Sequence, residues 1–316
     1  MAGNNGKSAT ANATALPPDE LARIIDAAER IERLREASRG RLTRASTVLT
    51  IVPHFHCHQW LGDCLASLVD QTRPPEGIVV VDDGTGQPPV EIVRAFPSVT
   101  LLETVENVGP YRISQTVIER TGYDAYMFQD ADDWSLPERL QLELEEAERS
   151  GAEVVGCQGH RLISAEGEMV PITFPRDVNA AHRRNPVRHA IKHPGSIVSR
   201  ELVMRIGGYA TGLRFGADTE FEHRATHVAR MINIPQFAYV VRNRENSLTS
   251  SADTGIGSPA RNQMREIENA RALENVARVA AGEPPDLTPQ AVAGPVEMLH
   301  LAGPLLRSAS GGSWPC

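Results

Sequence analysis

Ile78-Val79-Val80-Val81-Asp82-Asp83-Gly84-Thr85 decides the fold. Four β-branched residues in a row, with no polar alternation, suit a strand buried on both faces, and such strands belong to parallel sheets covered by helices. The apolar run stops at two carboxylates and a glycine, so the chain turns at the carboxyl end of the strand. The arrangement recurs twice. Val48-Leu49-Thr50-Ile51-Val52 runs into Pro53-His54-Phe55-His56, and Ala125-Tyr126-Met127-Phe128 runs, one residue on, into Asp130-Ala131-Asp132-Asp133-Trp134. Between them, Leu61, Cys64, Leu65, Leu68 and Val69 have helical spacing. Val90 to Phe96 and Tyr111 to Arg120 read as helices on either side of a further strand, Val99-Thr100-Leu101-Leu102. This alternation predicts an open, mostly parallel, Rossmann-like α/β sheet flanked by helices. Ligands of such sheets bind in the crevice outside the carboxyl ends of the strands. Polar segments at three strand ends therefore predict one site, whereas any of them alone reads equally well as a solvated turn.

The acidic stretch gives that site a chemistry. Asp130, Asp132 and Asp133 repel one another unless a cation or strong donors neutralise them. Hard ions such as Mg²⁺ or Mn²⁺ take oxygen ligands, often one or two carboxylates together with substrate phosphates. The His54, His56, Cys57, His58 run and the pair His223/His227 are the competing metal readings. Zinc sites draw ligands from separated segments with closing geometry, so polarity of a ligand-binding loop at the strand end is the better account of the first, and surface or core histidines of the second. Cys57, Cys64, Cys157 and Cys316 are scattered without paired spacing and read as free thiols of a reducing compartment.

The net charge of -8 over 316 residues argues against a nucleic-acid binder. No apolar run is long enough to span a bilayer, and residues 1–18 lack the apolar stretch of a signal peptide and read as disordered. These features predict a cytoplasmic protein. Residues 19–45 hold a charged helix, Asp19 to Arg39, with an apolar stripe suited to packing on the domain or to pairing two copies; the C-terminal helix offers a second pairing surface. Residues 46–251 form the main domain, with 46–150 as the half that carries the polar strand ends and 151–251 as a second half of mixed strand direction. Ser135-Leu136-Pro137-Glu138 fits a capping box, and Glu143 to Glu148 reads as a solvated helix face. Residues 252–316 comprise a Gly-rich linker, a helix from Arg261 to Ala280 and a loosely ordered Pro/Gly-rich tail.

Taken in order, Thr50-Ile51-Val52-Pro53, Val80 to Thr85, Asn107-Val108-Gly109, Asp130 to Asp133, Gly207-Gly208-Tyr209 and Gly216 to Phe221 resemble an inverting glycosyltransferase of family 2, with the GT-A fold. The resemblance covers roughly Ser46 to Ser251. It implies a nucleoside diphosphate sugar as donor, UDP-sugar before others, a hydroxyl acceptor on a saccharide, lipid carrier or small molecule, and a divalent ion. A peripheral membrane contact is compatible with a lipid-linked acceptor. Residue by residue, Asp83 matches the contact to the nucleotide base, and a carboxylate suits the uracil N3–H donor. Pro53 and Phe55 match the loop walling the base, and Arg112 a contact to the nucleotide sugar. Asp133 matches the metal ligand, Asp132 a ribose or metal contact, and Asp130 the first acid of the pattern. Asp218 matches the catalytic base, with Glu220 beside it as the alternative; His193 and Arg224 fall on the acceptor side. The chain departs from the family at His54-Phe55-His56, where Thr/Ser-x-Asn is usual, and at Ala217, where an acid often precedes the base.

Two other functions use similar parts. A sugar nucleotidyltransferase also works with carboxylates and a divalent ion, but needs a Gly-rich basic loop near the first strand, and none follows Val52. A non-catalytic nucleotide or sugar binder has no need of an acceptor-side base such as Asp218.

Overall fold

The computed structural model describes residues 23, 42–163, 167–243 and 247–315. The first half is built as β1 (Val48–His54), α1 (His58–Val69), β2 (Gly77–Asp82), α2 (Val90–Arg94), β3 (Val99–Thr104), α3 (Pro110–Arg120) and β4 (Ala125–Phe128). β1 pairs in parallel with both β2 and β4, and β2 with β3. Strand side chains alternate between two faces. Leu49, Ile51, Val79 and Val81 therefore pack with Ile113 and Val117 of α3 on one side. Val48, Val52, Ile78 and Val80 pack with Leu61, Leu65 and Leu68 of α1 on the other. Each such aliphatic side chain contributes about 1.5–3 kcal/mol by leaving water. The register sets His54 opposite Asp82 and Ile51 opposite Phe128, so the loops after β1, β2 and β4 leave the sheet at one edge.

The second half adds β5 (Trp134–Ser135), α4 (Arg139–Ser150), β6 (Val154–Leu162), β7 (Met169–Ile172), α5 (Val178–Arg184), β8 (Ser196–Ser199), α6 (Arg200–Arg205), α7 (Ala217–Ala225) and β9 (Met231–Arg242). After these come α8 (Pro259–Ala280), β10 (Met298–Ala302) and a small hairpin, β11 (Leu306–Arg307) with β12 (Ser313–Trp314). β8 enters antiparallel between β4 and β6, and β6 runs parallel to β9, which gives the mixed half expected. Among the described residues the main sheet runs β10-β3-β2-β1-β4-β8-β6-β9-β5, with β7 on β6.

Three expectations are corrected. Ser135 does not cap a helix. Its backbone is drawn into pairing with Tyr239 of β9, its hydroxyl is spent on Gln129 and Arg139, and α4 starts only at Arg139, with no side-chain cap from Glu138. The acidic face of α4 is not solvated throughout. Glu143 is fully buried with its i−4 neighbour Arg139 at 3.2 Å, and Glu146 is buried between Arg149 and Arg176. Nor is the C-terminal segment loose. β10 adds an antiparallel edge to β3, Thr100 Oγ1 donates to Pro304 O at 2.6 Å, and the Arg307 guanidinium lies over the Tyr123 ring. The disordered segment read for residues 1–18, the N-terminal helix apart from helical Arg23, and Cys316 lie outside the described residues.

Arg139 holds this half together behind the strand ends. Its guanidinium, fully buried, donates to Glu143, Gln129 and Ser135 and to the carbonyls of Phe128 and Ser196. Burial pushes the Glu143 carboxyl up to about 7 against the pull of that cation. Arg139→Met is expected to cost about 3–5 kcal/mol, because it strands buried partners. Arg139→Met with Glu143→Leu should recover most of the loss, as urea unfolding of the three proteins will register.

Candidate active site

The loops leaving β1 and β4 meet the start of α3, the segment 189–194, the start of α7 and one face of α8 around a cleft of about 560 Å³. On the donor side, Asp130, Asp132 and Asp133 each bring a carboxylate oxygen within 4.8 Å of the others. Backbone bonds fix them there. Asp133 N donates to Asp130 O, the Tyr239 hydroxyl accepts from Asp130 N, and Asp133 Oδ1 accepts from Arg242 N at 2.7 Å. Asp130 lines the cleft while Asp133 is 3% exposed. Burial, then the charges of Asp130 and Asp132, raise the Asp133 carboxyl well above the usual range. An all-oxygen set of three carboxylates that repel one another fits a hard divalent ion. Among the described residues, this triad is the one cluster whose donor atoms converge for an ion.

The other donor-side residues divide. Pro53 lines the cleft, whereas Phe55, 40% exposed and packed on His56, is not among its walls. His54 points into the protein, where its Nδ1 lies 2.7 Å from Asp82 Oδ1 with both side chains fully buried. Asp83 is buried too, and accepts from Val108 N at 2.7 Å, Gly109 N at 3.0 Å and Asn107 Nδ2 at 3.1 Å. It clamps the Asn107–Gly109 loop onto β2, with three of its roughly four lone-pair sites used inside the chain. Gly84 makes that approach feasible: its φ is +64°, and a Cβ there would collide with the Glu106 backbone. Arg112 turns from the cleft to donate to Gly294 O at 2.8 Å; its neighbour Tyr111 lines the cleft instead.

On the opposite side, helical phase separates the two candidate bases. Residues two apart on a helix point about 200° apart. Asp218, in the first turn of α7, faces the cleft and accepts from the Tyr111 hydroxyl at 2.8 Å. Glu220 faces the core, 2.6 Å from Arg224 Nη2, and accepts from Gln290 N at 3.0 Å. Arg224 is buried with it, donating to the carbonyls of Ile206, Gly208 and Leu287, so it does not wall the cleft as its sequence position suggested. His193 does reach the cleft, stacked on Phe128 at 3.9 Å with Nε2 3.1 Å from the Tyr209 hydroxyl. Burial pushes it down to about 4, so it is neutral at pH 7.

Several residues were not found from sequence. His189 lines the cleft with its Nδ1 3.0 Å from Glu222 Oε2, and Glu222 also meets His182 Nε2 at 2.7 Å. Burial opposes charge on His189, but Glu222 outweighs it and raises the imidazole. Burial likewise opposes charge on Asp218, yet the histidines and Tyr111 hold it below the usual carboxylate range; with His193 neutral, the cationic help is His189. Lys192 also lines the cleft, its ammonium over the Tyr239 ring. Arg261, Met264, Arg265, Glu268 and Asn269 of α8 complete the wall. Their i, i+3, i+4, i+7, i+8 spacing was a readable sign of one face, though not of what it faced.

Comparison with known proteins agrees with this geometry. The family model for glycosyl transferase family 2 matches residues 50–207, from β1 through the acidic triad, ending before Asp218. EpsJ of Bacillus subtilis (strain 168), described as an uncharacterized glycosyltransferase, is 25% identical over 217 residues; the match takes in 64% of this chain and 62% of that protein's length. Among solved structures, S. aureus TarS 1-349 in complex with UDP-GlcNAc superposes with a TM-score of 0.54 at 19% identity, over 64% of this chain and 60% of TarS. TarS 1-349 in complex with UDP gives 0.54 at 17% identity, over 73% and 72%. These likenesses concern the fold. With half of its length matched, including the parallel sheet and the acids at its edge, the chain belongs to glycosyl transferase family 2 and has the GT-A fold.

Proposed function

We propose that the protein moves a sugar from a nucleoside diphosphate sugar to an acceptor hydroxyl by single displacement with inversion. The observation that carries this reading is that Asp130 and Asp218, from the two halves of the chain, line one cleft. UDP-sugar is the proposed donor, supported by the GT-A fold shared with a protein solved with UDP-GlcNAc and with UDP. Pro53 and Phe55 flank the base, and Asp83 offers its remaining lone pair to the base N–H. Asp133 and Asp132, with Asp130 at the cleft surface, would hold Mn²⁺ or Mg²⁺, which when bound neutralises charge on the departing diphosphate. Arg242 and Lys192 add fixed positive charge on the same side. Asp218 takes the proton from the acceptor oxygen as that oxygen bonds to the anomeric carbon, while the bond from that carbon to the diphosphate oxygen breaks. His189 and Tyr111 keep Asp218 ionised for this step. The acceptor is a saccharide, a lipid-linked sugar or a small-molecule alcohol. We place the reaction in the cytoplasm. Cys57, Cys64 and Cys157 are free and buried, and among the described residues no helix is long and apolar enough to cross a membrane.

Asp133→Asn is expected to abolish the Mn²⁺-dependent part of donor binding, measured by titration calorimetry with UDP-sugars with and without the metal. Asp218→Asn should keep donor affinity and lose transfer by about 10²–10⁴-fold. Full transfer in that variant, with loss in Glu220→Gln, would move the base. The acid limb of the pH–rate profile should lie below the usual carboxylate range, since Asp218 works only when ionised. Removing a group that favours the ionised form raises its pKa. Tyr111→Phe and His189→Ala should therefore each shift the acid limb to higher pH.

A further inference from the structure

We propose that Glu268 binds the acceptor as a neutral carboxylic acid, and that the acceptor is a polyhydroxylated molecule, a saccharide or polyol, held by hydroxyls other than the one that reacts. This rests on Asp218 being the base.

Glu268 lies on α8, beyond the stretch matched by the family model. It is 3% exposed, yet its side chain forms part of the cleft wall. Its Oε1 has no hydrogen-bond partner among the described residues. Buried polar atoms are ordinarily paired, and one left unpaired at a binding cleft awaits a ligand group. The carboxyl also abuts the residue just before α7: a Cβ on Gly216, whose φ is +84°, would come within 2.8 Å of Glu268 Oε1. The acid therefore stands beside the turn that presents Asp218 two residues on.

The surroundings favour the protonated form. Burial, then Asp218 and Glu220 of α7, push Glu268 up to about 8, against Arg261 and Arg265 of its own helix. Below that pH the group offers one O–H donor and one carbonyl acceptor. Arg261 is not free to neutralise it, since its guanidinium donates to Leu248 O and Thr254 O. A hydroxyl, itself donor and acceptor, is the natural complement of a neutral carboxyl. The cleft wall nearby repeats that chemistry in Asn269, Thr219 and Ser250, an amide and two hydroxyls that both donate and accept. An apolar alcohol with a single hydroxyl would leave Glu268 without a partner once that hydroxyl is on Asp218.

The test compares the native protein with Glu268→Gln and Glu268→Ala, using UDP-sugars and Mn²⁺. Two acceptor sets are offered, oligosaccharides with simple polyols, and alkyl or aryl alcohols with one hydroxyl. Slow release of UDP with water as acceptor, measured in each of the three proteins, reports on the proposed reaction without calling on an acceptor molecule. Transfer to a polyhydroxylated acceptor is expected in the native protein and in Glu268→Gln, because glutamine keeps both a donor and an acceptor. Glu268→Ala should raise the acceptor KM about tenfold or more while the donor KM stays put. The native rate should fall as pH passes about 8, and Glu268→Gln should lack that decline. An acceptor KM unchanged in Glu268→Ala, or transfer confined to the single-hydroxyl alcohols, overturns the proposal while UDP release leaves the transferase reading standing. Absence of UDP release and of transfer in every protein overturns that reading, and this inference with it.

Discussion

Everything at the donor edge depends on holding three like charges together. Carboxylate oxygens of Asp130, Asp132 and Asp133 lie within 4.8 Å of one another, and Asp133 is almost fully buried. Left alone, that arrangement opposes folding, because burial and repulsion both disfavour the ionised form. The protein meets the cost with backbone and neighbouring groups. Arg242 N–H and the Tyr239 hydroxyl fix the turn from β9, and Arg139 fixes the carbonyl of Phe128 just before it. Each of these partners comes later in the chain than the triad, from β9 and from α4. The three carboxylates are therefore held by groups that those two elements supply.

The opposite wall of the cleft has the converse problem. As the proposed base, Asp218 has to stay ionised while partly buried, and it sits in the first turn of α7, where the helix dipole favours negative charge. Tyr111 and the His189–Glu222 pair add to that. Glu222 accepts from two imidazoles and from Ala190 N, and these hold it at about 2 despite its burial. It thereby fixes a cation beside the cleft. The two sides thus carry carboxylates of opposite character, Asp133 pushed up and Asp218 held down. The raised carboxyl marks a crowding of like charges that a cation would relieve, and the lowered one is ionised and open to a proton at neutral pH.

The parallel sheet and its functional edge were legible because their signals are local. Four consecutive β-branched residues in β2, and acids directly after strands, need no knowledge of distant contacts. The choice between Asp218 and Glu220 was not legible, although helical phase separates them once α7 is known to start at Ala217. Glu143 was misread, and Arg139 passed over, because charged residues ordinarily mark a solvated face; their i, i+4 pairing lets both be buried. The C-terminal strand was hidden for another reason. Met298–Ala302 is an edge strand with Leu299 and His300 exposed, so it lacks an apolar run and needs β3 as a template. Asp83 shows a limit of matching residues by motif: the position was found, but not the three N–H groups of the Asn107–Gly109 loop that occupy it.

The cleft is finished by a part of the chain that the family match does not include. Residues 50–207 hold the parallel strands of the first half and the triad; the wall facing them is completed by α7, the 247–250 loop and α8. Arg261 couples the last two, since one guanidinium on α8 holds the carbonyls of Leu248 and Thr254. Ser258 caps that helix by accepting from Arg261 N, so α8 has a fixed start immediately after the loop. A substitution on the cleft face of α8 alters the wall without touching a strand or the acidic turn. If the reaction proposed is the right one, the groups that activate the donor and those that select the acceptor reside on separate elements, and the second can change while the first is kept.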